Sequence, residues 1–314
     1  MNSKIFTLAL ALICCNLLQG QGEVQPFLPD LFIQYPNVRD FTTTVQEDEA
    51  YFTMQSVISE ISIITMIKKE NGSWLKPEIA AFSGDYTDLE PFLSPNELRL
   101  YFVSNRPTDD SKKLKDFDIW YVERSAKNAA WSSPINIGST VNSEGDEYYP
   151  SVSKSKNLYF TRTNSNSESK DDIFVSIWNG NSYNEPTVLG DAINTNGYEF
   201  NSFISPGEDF LIFGGYQRED GFGGGDMYIS FKDENNQWTA AKNLGTPVNS
   251  NRIDYCPYVN MSTQTLYFTS KRSAVNKKKS KYFNFDTLLN DINQFENGSS
   301  RIYKANIEHL IKKY

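Results

Sequence analysis

Carboxylates are the groups in this sequence most able to move protons or hold a metal. His309 is the single histidine of the 314 residues, which removes Ser-His-Asp and Cys-His nucleophilic machinery and imidazole-based zinc sites together. A glycosidase needs only two carboxylates set on either side of a sugar bond. Asp88, Glu147, Glu199 and Asp254 recur at one position of a repeated pattern, with Arg106, Arg162 and Arg272 following at the ends of nearby apolar stretches. A second recurring acid opens Asp118-Ile119-Trp120, Asp172-Ile173-Phe174 and Asp226-Met227-Tyr228, and Arg301-Ile302-Tyr303 replaces it in the last copy. A catalytic pair must be two unlike acids, whereas one acid repeated by symmetry is what a structural contact looks like. The favoured role is therefore an acceptor for backbone amides or for the arginines, with a ligand-facing role as the alternative. Acid-rich stretches such as Glu144-Gly145-Asp146-Glu147 raise calcium as a possibility, but no loop has EF-hand spacing, and no cofactor is expected. The glycine-rich run from Asp220 to Asp226 precedes a strand pattern rather than a helix, so it lacks the helix N-terminus of a phosphate loop.

These residues are placed by a repeat. From Trp131, Tyr183 and Trp238 the same punctuation follows: Gly138, Gly190, Gly245; then Val141-Asn142, Ile193-Asn194, Val248-Asn249; then the acid, then Pro150, Ser202, Pro257. An apolar pair comes next, Tyr159-Phe160, Ile212-Phe213 or Tyr267-Phe268, and appears upstream as Tyr101-Phe102 and Tyr51-Phe52. Successive pairs lie 50, 58, 53 and 55 residues apart. A period near fifty carrying several short strands marks propeller blades, because helical solenoids have shorter units and a 3.6 periodicity. The expected fold is all-β, a five-bladed propeller with about four antiparallel strands per blade.

Aromatic residues at 14% suit strands packed face to face, and a net charge of −9 argues against nucleic acid as the partner. Residues 1–20 carry Lys4, an apolar run from Ile5 to Leu18, and Gly20. They read as a secretory signal peptide, too short to span a bilayer. Cleavage after Gly20 is favoured over lipid attachment at Cys15, because Ile13 is larger than a lipidation signal allows. No transmembrane span is expected, and the domain proper is 21–314, a monomer. Cys256, beside Pro257 at a strand start, reads as a small buried residue.

The first blade, about 38–80, is the most divergent. The last lacks a closing segment after Ile307, so residues 26–33 are expected to supply its outer strand and close the ring. An insertion at 275–300 holds Lys277-Lys278-Lys279 and a stretch in which Asp286 can cap a helix whose Leu288, Leu289 and Ile292 share a face.

The entries Asp88-Leu-Glu-Pro91, Glu147-Tyr-Tyr-Pro150 and Asp254-Tyr-Cys-Pro257, the Leu-Tyr-Phe strand leading to Arg, and the Asp-Ile-Trp/Phe strand together resemble the WD-like repeat of TolB-type β-propellers and of Bacteroidetes envelope proteins. The resemblance spans about residues 38–307 and implies a periplasmic or cell-surface binding platform. The expected function is thus a secreted, non-enzymatic scaffold that binds a protein or peptide of the cell envelope through loops on one face of the ring. The alternative is a carbohydrate-active propeller, a glycosidase or glycan-binding module, which predicts unlike acids converging with Trp or Tyr at the channel mouth.

Overall fold

A computed structural model describes residues 22–109, 113–164, 170–275 and 284–312. Residues 1–20, expected to be a signal peptide, with Cys14 and Cys15, and Lys277-Lys278-Lys279 lie outside the described residues. Each repeat becomes one antiparallel sheet, and five sheets form a five-bladed β-propeller. The inner strands are Asn37–Thr43, Asp88–Leu93, Glu147–Val152, Tyr198–Ile204 and Asp254–Asn260. The second strands are Glu49–Gln55, Arg99–Ser104, Leu158–Asn164, Phe210–Tyr216 and Thr265–Ser270. Third strands follow at Ser62–Glu70, Asp118–Glu123, Lys170–Ser176, Asp226–Phe231 and Arg301–Asn306. Two-residue outer strands complete each sheet, and the first blade has one more, Ser73–Trp74.

The second member of each apolar pair, Phe52, Phe102, Phe160, Phe213 or Phe268, is wholly buried. These flat rings fill the space between neighbouring sheets, where burial of each contributes about 1.5–3 kcal/mol. The repeated asparagine explains the rest of the spacing. Asn142 accepts from the Ile119 amide at 2.9 Å and donates to the Ile119 carbonyl at 3.0 Å. Asn194 does the same to Ile173, and Asn249 to Met227. One side chain thus stands in for a missing ladder residue beside the third strand. Asn249→Ala would leave the buried Met227 amide unpaired, while the Met227 carbonyl keeps the Leu244 amide at 2.9 Å, and urea unfolding should show a loss of about 1–3 kcal/mol.

At the seam the N-terminal segment does close the last blade, with Gln25 opposite Lys304 and Pro26 opposite Tyr303. The strand is shorter than the 26–33 expected. It ends at Pro26, and Pro29–Phe32 forms one helical turn after Leu28, which adopts φ 47. Pro29 has no amide to continue a ladder and suits the start of a helix. The turn swings Phe32 inward to meet Phe52 at 5.1 Å, while Phe27 packs on Phe41 and Tyr267.

In the insertion a helix spans Phe285–Asn293, capped by Asn284, whose side chain accepts from the Thr287 amide; Asp286 lies in the first turn instead of capping it. None of its residues is buried. No helix among the described residues is long and apolar enough to cross a membrane.

Candidate functional site

The recurring acids sit at the entrance of the inner strands, each wholly buried, and each meets an arginine of its own blade. Arg106 reaches Asp88 at 2.7 Å, Arg162 reaches Glu147 at 2.7 Å, and Arg272 reaches Asp254 at 3.0 Å. Glu199 has a partner that sequence reading missed, Arg218 at 3.6 Å. The spacing concealed it: Arg218 lies five residues beyond Phe213, whereas Arg106 and Arg272 lie four beyond their phenylalanines. Every guanidinium also covers at least two rings, as Arg272 covers Phe268 at 5.3 Å and Tyr303 at 4.5 Å.

The other carboxylate contacts repeat as well. Ser143, Thr195 and Ser250 each donate both hydroxyl and amide to the acid four residues on. Ser83 donates its hydroxyl to Asp88 at 2.7 Å. Burial pushes the carboxyls of Glu147 and Glu199 up, against these donors and the arginines. In the first blade Val38 stands where the acid would be, and no arginine follows Phe52 before the third strand. Acid and arginine have been lost together. The four pairs lie one per blade and do not form a common centre.

The third-strand acids are also held locally. Asp118 accepts from Lys115 at 3.0 Å and Asn136 at 2.9 Å, Asp226 accepts from the amides of Phe222 and Gly223, and Asp172 lies opposite Arg162 in the ladder. No group of three or more potential metal ligands occurs among the described residues.

What the five blades do bring together is a different set. Two residues beyond each recurring position the inner strand bulges, and Asp40, Glu90, Tyr149, Asn201 and Cys256 take left-handed φ values between 50 and 60. Such a conformation is costly for non-glycine residues and persists where surroundings impose it. Here the bulge amides donate to a hydroxyl of the preceding blade: Glu90 to Thr53, Asn201 to Thr161, Asp40 to Thr269. Tyr149 would face Val103, which has no hydroxyl, and donates instead to the Glu90 carboxylate at 2.7 Å.

The side chains close the axis. Arg39 donates to Asp40 at 2.7 Å and to Glu90 at 2.8 Å, approaches Cys256 Sγ at 3.6 Å, and lies over Tyr255 at 5.1 Å. Tyr149 donates from its hydroxyl to the Pro257 carbonyl, and Asn201 reaches Glu90 at 3.5 Å. Burial pushes the Glu90 carboxyl up, to about 7, despite Arg39. Burial likewise raises the Cys256 thiol, so it stays neutral, matching the small buried residue expected there. The repeat offers one signal for this position, which varies as Tyr149, Asn201 and Cys256 between neighbours that change little, but it does not say that these residues meet.

Above the cluster opens a funnel of about 430 Å³. Arg39, Glu90 and Asn201 line its floor, and Phe117, Tyr148, Phe200 and Tyr255 bring aromatic rings to its walls, with Asp171 also present. Phe117 and Tyr148 lie 5.5 Å apart.

The fold and this plugged axis define a five-bladed β-propeller. No family model and no curated protein sequence matches the chain. Among solved structures it is similar to a TolB from Agrobacterium tumefaciens, at 10% identity over 85% of this chain and 89% of that one, with a TM-score of 0.47. It is also similar to the catalytic domain of a GH62 α-L-arabinofuranosidase from Coprinopsis cinerea, at 11% identity, coverage of 90% and 96%, and a TM-score of 0.51. A glycoside hydrolase matches at 9% identity over 91% and 90%, with a TM-score of 0.54. At these identities the two likenesses with TM-scores above 0.5 show the fold alone and carry no activity with them.

Proposed function

We propose that the chain is a non-enzymatic scaffold of the cell envelope that binds a protein or peptide segment on the face where the funnel opens. Antiparallel strands put the second-to-third connections of all blades at one end of the ring, beside the starts of the inner strands. The observation that carries this reading is where exposed apolar side chains fall. Val57, Ile58, Ile61, Leu114, Phe222, Phe285 and Ile292, from four blades, are between 53% and 76% exposed and stand on those connections; of the described apolar residues exposed to that degree, Ile79 on an outer strand is the exception. Large apolar groups gathered on one rigid face mark an interaction surface. Export rests on the N-terminal sequence, and the resemblance to TolB-type repeats supports an envelope partner.

Catalysis is not favoured, because the recurring acids are held by arginines and both oxygens of Glu90 already accept hydrogen bonds. The test is chemical crosslinking of the mature protein to an envelope fraction, with Ile58→Asp and Tyr148→Ala alongside. Each variant should lose at least about tenfold of the captured partner at an unchanged melting temperature. Equal capture by all three proteins rules out this face.

A glycan reading has one observation in its favour: Glu90, raised to about 7, and Asp171 are unlike acids in one funnel with Tyr148 and Tyr255. It requires that aryl glycosides or plant oligosaccharides be cleaved or bound and that Glu90→Gln abolish this.

A further inference from the structure

On the opposite face of the ring, one blade junction carries a cation where three of the other four carry a glutamate. There the turn between first and second strands has a residue of left-handed φ in every blade: Glu47, Glu97, Lys156, Glu208 and Gln264. At two junctions this glutamate bridges back to the preceding blade. Glu208 accepts from Tyr159 at 2.9 Å and from Asn157 at 2.8 Å, and Glu47 accepts from Tyr267 at 3.0 Å and from Asn260 at 3.0 Å. Between the second and third blades the corresponding tyrosine is Tyr101, but the facing turn carries Lys156. The carboxylate is replaced by a cation, and among the described residues the Tyr101 hydroxyl meets only the Tyr183 hydroxyl at 3.4 Å and Arg99 at 3.4 Å.

The second departure lies beside it. Two residues before the tyrosine of the second strand the other blades carry Glu49, Asn157, Phe210 and Thr265, and only this one carries an arginine, Arg99. Its guanidinium is stacked 4.1 Å over Tyr121 and paired with Glu123 at 2.9 Å, yet its side chain remains 30% exposed. Between the two blades lies a cleft of about 630 Å³, larger than the axial funnel. Arg99, Arg124, Lys154 and Lys156 line it against one carboxylate, Glu123. Arg124 is held by Glu49 at 2.7 Å, and its Nη2 has no acceptor. Lys154 and Lys156 are exposed and make no ion pair among the described residues; Lys156 lies 5.2 Å from the Trp178 ring. On a chain of net charge −9 such a recess is an exception.

We propose that this cleft binds an oligoanionic ligand, one of whose anionic groups takes the place that the Glu47 and Glu208 carboxylates occupy at other junctions. Arg99 is preorganised by its stacking to meet carboxylate or phosphate oxygens, and the two lysines supply point charges that draw anions in. The hydroxyls of Ser125, Ser132 and Ser153 line the same cleft and suit a hydrated, oxygen-rich ligand more than an apolar one. The volume lies in the range of small-ligand sites.

The test is calorimetric titration of the mature protein at low salt with two probes, inorganic pyrophosphate and a galacturonic acid trisaccharide, which separate phosphate from sugar-acid recognition. At least one should bind with a sub-millimolar Kd. Lys156→Glu installs the residue that three of the other four turns carry, so it should fold, raise the melting temperature and weaken binding at least about tenfold; Arg99→Ala should weaken it comparably. Lys242→Glu makes the same charge change on a distant outer strand and should leave the affinity within about twofold. The proposal is overturned if neither probe binds, if Lys156→Glu binds as wild type does, or if Lys242→Glu weakens binding as much as Lys156→Glu.

Discussion

A chain that begins at Val38 should melt far below one that begins at Gln21, or should aggregate. The lost segment supplies the outer strand of the fifth blade, and Phe27 donates its amide to the Ile302 carbonyl at 2.9 Å. Its removal exposes the third strand, Arg301–Asn306, as an open edge. It also removes Phe27 and Phe32, both buried, at about 1.5–3 kcal/mol each. Leu28 and Leu31 are only half-buried and Ile33 is exposed, so they contribute less. Phe32→Ala alone should cost about 3–5 kcal/mol. Thermal denaturation of the two chains and the variant distinguishes the outcomes: equal melting temperatures would show that the ring holds without its N-terminal strand.

Arg39→Met should be the most destabilising single change on the axis, and the damage should depend on pH. In the wild type, burial lifts the Glu90 carboxyl to about 7 from an ordinary value of 4.5. Between those values the folded protein holds a proton that the unfolded chain releases. The contribution of this group to stability is therefore fully present below pH 4.5 and is lost as pH rises through 7. Removal of Arg39 leaves Asp40 and Glu90 without their shared cation. Leaving a buried charge unpaired costs about 3–5 kcal/mol, and the cost should be largest at pH 8 and smaller at pH 5, where the Glu90 carboxyl can take up a proton. Urea unfolding at the two pH values measures it. A loss of equal size at both would mean that Arg39 acts through packing against Tyr255 and not through charge, and Arg39→Met with Glu90→Gln should recover part of the loss only if charge is the cause.

The blade count and the strand order were legible because the repeat fixes them: a sheet whose second strand carries Tyr-Phe must bury the same ring in every copy. The acid positions and three of the four arginines were legible for the same reason; Arg218 was not, because it lies five residues beyond Phe213. The axis was not, since its residues are those that the repeat does not constrain. Asp40, Glu90, Tyr149, Asn201 and Cys256 share a backbone conformation and no side-chain chemistry. Nothing in a single copy says that they meet, because their contacts run between blades. The end of the N-terminal strand was missed for a local reason, a proline and a left-handed Leu28 that end the ladder after two residues. Asn284 was overlooked as a cap because Asp286 offered an equally good oxygen two residues later.

The pairing of Gln25 with Lys304 also sets an order of events. The strand that finishes the ring precedes every other strand of the propeller in the chain, and its partner, Arg301–Asn306, follows all of them. While four blades assemble from contacts local to each repeat, this segment has nowhere to dock, and closing so long a loop is slow compared with forming a hairpin. Until then the nearly complete ring presents an unpaired strand to its surroundings. Any helper that shields exposed sheet edges in the compartment where folding occurs would meet this protein at its fifth blade.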